Sequence, residues 1–180
     1  FMSYRGWIFA ALCLAQTPAL AVQSFAVTRE ELALMPPYCT ALYGESVGLP
    51  NRANSPLRDT VPAGCPSLHH YCDGLKAVIR ADKNRGETGY WLGVAVEAFI
   101  SVVKATRWAI CPVLPEAHVS LGKAMLRQGR ATGTGSTQGV SQIVKAISLK
   151  PDYVPAYYAL SDYYAGIGQK KKALEVVEDG

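Results

Sequence analysis

The chain has 180 residues, 49% hydrophobic and 18% charged, so it can bury a real core and lacks the composition of a disordered chain. Its formal net charge of +4 is spread along the chain, and the one basic run, Lys170-Lys171-Lys172, is too short for a nucleic-acid footprint. The length allows one domain, or one domain behind a removable leader.

The first segment, "MSYRGWIFAALCLAQTPALA", has one positive charge, Arg5, ahead of an apolar stretch over residues 6–15. Pro18 follows, and the segment closes on Ala19-Leu20-Ala21, a small-x-small pattern of the kind export peptidases cut. The apolar stretch is shorter than the ~20 residues a spanning helix needs. Residues 1–21 are therefore expected to be a signal peptide removed near Ala21 in a Gram-negative bacterium. Such cleavage leaves no stable membrane span and a periplasmic or secreted product. Cys13 follows Leu12, which is too large for lipoprotein processing, and Phe1 ahead of Met2 reads as upstream translated sequence. Beyond the leader lie Cys39, Cys65, Cys72 and Cys111, an even set that favours disulfides in an oxidising compartment.

The remaining chain shows helical periodicity and almost no period-2 alternation, which predicts an all-α fold. Residues 22–66 read as an N-terminal helix and a long loop. Thr28 is an N-cap candidate with Glu30 and Glu31 in the first turn, and Pro36-Pro37 must kink or split that helix. The loop over residues 45–66 is rich in Pro, Gly, Asn and Ser, and its length requires that it be tied down. Residues 67–114 read as a degenerate helical hairpin, with helices near 67–82 and 90–108. Further helices are expected near 116–128, 140–149 and 154–167 and from Lys170 onward, with "GTGSTQG" as a flexible insertion that follows no strand and lacks the Gly-Lys-Ser/Thr ending of a phosphate loop.

Residues 115–180 repeat themselves. Aligning Ala117 with Ala156 also matches Leu121 with Leu160, Gly122 with Ser161, Met125 with Tyr164 and Gly129 with Gly168. Small residues at Gly122 and Ser161 permit close helix approach, and Gly129 and Gly168 are expected to end their helices in left-handed caps. The segment "AISLKPDYVPAYYALSDYYAGIGQKKKALEVVEDG", with Ala146, Leu149, Pro151, Ala156, Tyr157, Leu160, Tyr164, Gly168 and Ala173 at matching positions, resembles the tetratricopeptide repeat. The preceding unit departs from that pattern: His118 stands where a large aromatic is usual, and the inter-helix loop is about five residues too long for the period. The motifs "MPPYC", "HHYC" and "LPEAH" ahead of such a repeat are also similar to a group of exported bacterial repeat proteins associated with envelope or exopolysaccharide gene neighbourhoods.

The resemblance implies antiparallel helix-turn-helix repeats stacked into a short superhelix, because no single pair can bury its own apolar face. It also implies a concave groove lined by the first helix of each pair. Tyr157 and Tyr164 are then core aromatics. Val119, Lys123 and Arg127 of one unit, with Tyr158 and Asp162 of the next, are expected to face the groove and to hold a protein or peptide partner. The last unit stops at Gly180 within its second helix, which reads as a fragment end or a partner-covered end.

"SLHHYCDGL" invites a metal reading through His69, His70 and Cys72. Consecutive helical histidines point about 100° apart, however, and no second ligand motif completes a tetrahedral set. Haem attachment would need C-x-x-C-H, which is absent. Four cysteines permit three pairings. The expectation is Cys39 with Cys72, stapling the first helix to the second across the long loop, and Cys65 with Cys111 as the second pair. One of the two histidines is then expected to pack at a helix interface with its ring hydrogen-bonded. No Ser-His-Asp or paired-carboxylate arrangement emerges. The functional expectation is a non-enzymatic scaffold without a cofactor, serving envelope or exopolysaccharide assembly, and a periplasmic metal-handling protein is the competing one.

Overall fold

The computed structural model describes residues 26–105, 110–132 and 137–180. The expected leader lies outside them. All regular structure in the described residues is helical, with no strand among them.

Helix α1 (Arg29–Leu32) opens on a reciprocal cap. The Glu31 N–H donates to Thr28 Oγ1 at 3.2 Å, and the Thr28 N–H donates to Glu31 Oε2 at 2.9 Å. The two prolines split the segment as expected, because Pro37 occupies the first turn of α2 (Pro37–Tyr43), where its missing N–H costs nothing. The long loop then carries two 3₁₀ turns, Gly44–Val47 and Arg58–Thr60.

Helices α3 (Leu68–Lys83), α4 (Thr88–Ala105), α5 (Leu114–Thr132), α6 (Thr137–Leu149), α7 (Val154–Gly166) and α8 (Lys170–Glu178) each pack on the next in the chain. The short links between neighbours make them antiparallel hairpins. Helix α5 is the pivot of the stack. Its Ala117, Leu121 and Ala124 join Tyr71, Trp91, Leu92 and Phe99 in the first core. Its Val119 and Leu126 join Ile143, Ala146, Ala156 and Leu160 in the second. A third cluster, Val27, Leu32, Met35, Cys39 and Cys72, fastens α1 and α2 to α3.

Two glycine positions explain how the array closes. A Cβ on Gly122 would lie 2.6 Å from the Gly139 carbonyl oxygen, and one on Gly139 would lie 2.8 Å from that of Gly122. The α5 and α6 backbones therefore touch where any side chain would separate them. Ser161 serves the next hairpin differently, donating its hydroxyl to the Ala173 carbonyl of α8 at 2.8 Å.

Some helix boundaries differ from the sequence reading. Gly168 is left-handed, with φ +81°, and ends α7 as expected. Gly129 is not left-handed, and α5 runs through it to Thr132. Helix α6 begins at Thr137, so the last part of "GTGSTQG" belongs to that helix and Gly139 is a packing residue. The turn signal of several glycines was outweighed by tertiary contact, which rewards a residue without a side chain at that crossing.

Tyr164 is half-buried against the second core, with Lys172 Nζ 4.3 Å from its ring centroid. Tyr157 is half-buried outside that cluster, and its hydroxyl donates to the Pro151 carbonyl at 2.8 Å.

Candidate functional site

All four cysteines beyond the leader are crosslinked. Cys39 joins Cys72 with Cα atoms 5.6 Å apart, and Cys65 joins Cys111 with Cα atoms 4.9 Å apart. The first staple binds α2 to α3, and both sulfurs are fully buried. The second binds the end of the long loop to the segment ahead of α5. There Gly64, with φ +73°, admits the chain so closely that a Cβ would lie 2.3 Å from the Ile110 carbonyl oxygen. Crosslinks of this kind persist in oxidising compartments.

The staple also decides what the histidine pair can do. Cys72 sulfur is bonded to Cys39, so it cannot act as a thiolate ligand. His69 and His70 have ring centroids 4.1 Å apart, yet they line different clefts. Among the described residues no group of three or more His, Cys, Asp or Glu side chains is placed to hold a metal ion. The histidine that packs at a helix interface is His118 instead. It is 9% exposed, and its Nδ1 lies 2.7 Å from Gln142 Oε1 of α6. Burial depresses its pKa below the ordinary 6.5, against the opposing hydrogen bond that the ring can donate to Gln142 Oε1. His69 is exposed, on the cleft that Leu42 and Leu68 also line.

Two clefts of about 480 and 520 Å³ lie against the irregular N-terminal segment. In the second, Lys76 Nζ meets Asp73 Oδ1 at 3.0 Å, and the Tyr43 hydroxyl donates to the His69 carbonyl at 2.9 Å. Those polar groups are committed to each other.

A different surface presents charged groups that point outward. Helices α3, α5 and α7 line one side of the array. Between α3 and α5 lies a cavity of about 270 Å³ bordered by Leu75, Val78, Asp82, Ser120, Lys123 and Arg127. Between α5 and α7 lies one of about 180 Å³ bordered by Lys123, Arg127, Arg130, Ala159, Asp162 and Tyr163. Lys123 and Arg127 border both, so the two cavities form one groove across three helices. Arg127 Nη2 bonds Asp82 Oδ1 across the first cavity, and Tyr71 and Ser120 hydroxyls meet at 3.1 Å deeper in the same seam. Burial pushes the Tyr71 hydroxyl well above its ordinary pKa of 10, and the Glu116 charge adds to the rise. Tyr153 is raised to about 12 by the same two causes. The groove itself carries the cations Lys123, Arg127 and Arg130, with the carboxylates Asp82 and Asp162 at its borders.

Three of the five expected groove residues, Lys123, Arg127 and Asp162, line this surface. Val119 does not: it is 6% exposed within the second core. Each fourth residue advances about 40° around a helix, so Val119 is turned from Lys123 toward α6 and α7. Tyr158, its counterpart on α7, is turned the same way and is 57% exposed off the groove. Tyr163 takes the groove position instead. Ser120, Arg130 and Tyr163 also line the groove and were missed from sequence. Ser120 and Tyr163 lie about 100° around their helices from Val119 and Asp162, and Arg130 lies three residues beyond Arg127, so only helix packing places them there.

No family model, curated protein or solved structure matches this chain. No described helix is long and apolar enough to cross a membrane.

Proposed function

We propose that this chain is an exported scaffold of the tetratricopeptide-repeat type that holds an extended, acidic segment of a partner protein in the groove of α3, α5 and α7. The observation that carries the reading is the placement of Lys123 and Arg127 on both cavities of one surface. Lys123 is exposed and Arg130 stands beside it, so an incoming carboxylate meets cations that need little desolvation. Leu75, Val78 and Ala159 supply apolar floor between the charges. Cleavage of residues 1–21 would deliver the chain to the periplasm or beyond, where the two disulfides form. A role in assembling an envelope component such as a polysaccharide follows from the motif resemblance.

Selection of a random peptide display library on the immobilised protein tests this. The expected result is enrichment of acidic sequences, with a loss of about tenfold or more in affinity for Lys123→Glu and for Arg127→Glu. Enrichment without acidic bias, or retention of affinity by both variants, would overturn the reading.

A further inference from the structure

The array treats its two C-terminal hairpins unequally. In the α5/α6 hairpin, Val119 and Ile143 are 6% and 0% exposed, and Val140 is half-buried beside them, all in the cluster that α7 completes. In the α7/α8 hairpin the residues on the corresponding face are Tyr158, Leu174 and Val177, and they are 57%, 66% and 41% exposed. Val154, at 44%, adjoins them. The same kind of surface is thus covered by a helix in one hairpin and open in the next.

The charges on α8 indicate what fits there. Lys170, Leu174 and Glu178 follow one another at four-residue spacing, so they form one stripe along the helix. All three are exposed, and neither Lys170 nor Glu178 meets an opposite charge among the described residues. Lys172 is turned aside onto the Tyr164 ring. The stripe is basic at its start, apolar at its centre and acidic at its end. It is therefore complementary to itself when run antiparallel.

We propose that a second copy of this chain covers the face, in a two-fold dimer whose α8 helices cross antiparallel at Leu174. Lys170 then lies beside the partner's Glu178, twice by symmetry, while Leu174 meets the partner's Leu174. Val177 and Tyr158 widen the apolar contact toward α7. Isologous pairing of this kind closes on itself and leaves the α3, α5 and α7 groove open in both copies, so the proposal stands apart from the groove reading.

Sedimentation equilibrium of the full chain tests it. The expected result is a reversible dimer whose dissociation constant rises about tenfold or more in Leu174→Glu. Lys170→Glu and Glu178→Lys should each weaken the dimer, and the double variant Lys170→Glu/Glu178→Lys should restore it. Helical circular dichroism should be unchanged in all of them, because these side chains are exposed. A monomer at every concentration would overturn the proposal. So would a dimer indifferent to Leu174→Glu, or a double variant as weak as either single one.

Discussion

The N-terminal third and the C-terminal array are held together by different physics. Residues 26–66 contribute short helices and two 3₁₀ turns, too little regular structure to bury a core of their own. Two disulfides and a buried ion pair anchor them to α3 and to the approach to α5. Helices α5 to α8 carry no crosslink among the described residues and depend on close backbone contact through Gly122, Gly139 and Ser161. Regular helices with small residues at their crossings can stack unaided. An irregular chain must be pinned, since it has few neighbours to repay its ordering entropy.

The ion pair gives the strongest way to break this contrast. Arg80 Nε donates to Glu31 Oε1 at 2.6 Å and Nη2 donates to Glu31 Oε2 at 3.1 Å, with the guanidinium 4.9 Å from the Trp91 ring centroid. Nη2 also donates to the Ala26 carbonyl at 2.7 Å. Glu31→Gln, which removes the carboxylate charge from beside the buried Arg80, should destabilise the N-terminal region by about 3–5 kcal/mol. Hydrogen exchange should show the loss in α1 and α2 and leave α6 and α7 protected. Equal loss in both regions would mean that the two are one cooperative unit.

Opening the Cys39–Cys72 staple, through the paired Cys39→Ala and Cys72→Ala variant, should cost roughly 3–4 kcal/mol for a closed loop of this size. Limited proteolysis should then cut within residues 45–66 while the α5–α8 fragment survives. In the array, Gly122→Ala should cost about 1–3 kcal/mol by overpacking, because the new Cβ meets the Gly139 carbonyl. Thermal unfolding measures that loss, and a neutral outcome would show that the α5–α6 crossing can widen freely.

Acid sharpens the comparison with the smallest effect. His118 has a folded-state pKa below 6.5, so its contribution is present above that value and is lost as the pH falls through it. Burial opposes ionisation of Glu31, but its bonds from Arg80 and the Thr28 N–H prevail and hold its pKa below 4.5. Its contribution is present above 4.5 and disappears as the pH falls further. The array should therefore loosen first, below pH 6.5, and the N-terminal region only below pH 4.5. Hydrogen exchange at stepped pH would show the order, and the reverse order would contradict both assignments.

Much of this was legible in the residues alone. The split at Pro36-Pro37, the cap at Thr28 and the left-handed Gly168 follow from local backbone chemistry that no distant contact alters. Compartment logic favoured a disulfide over a metal site, and Cys39 with Cys72 was the expected pair. The residues alone left three connectivities open, and the structure forms Cys39–Cys72 and Cys65–Cys111. The histidine expected at a helix interface was sought in "HHYC", whereas His118 holds that place through Gln142, a partner 24 residues away that local sequence does not announce.

Periodicity and backbone permissiveness are local properties, and they were enough for the all-α class, the succession of helices and the small residues Gly122 and Ser161, whereas Gly139 read as part of a flexible insertion. The rotation of each helix about its own axis came from packing. A turn of about 40° moves Val119 into the core and Tyr158 onto an open face, and it leaves Lys123 and Arg127 shared by two cavities. Side-chain packing between neighbouring helices sets that rotation, and no single helix carries it alone.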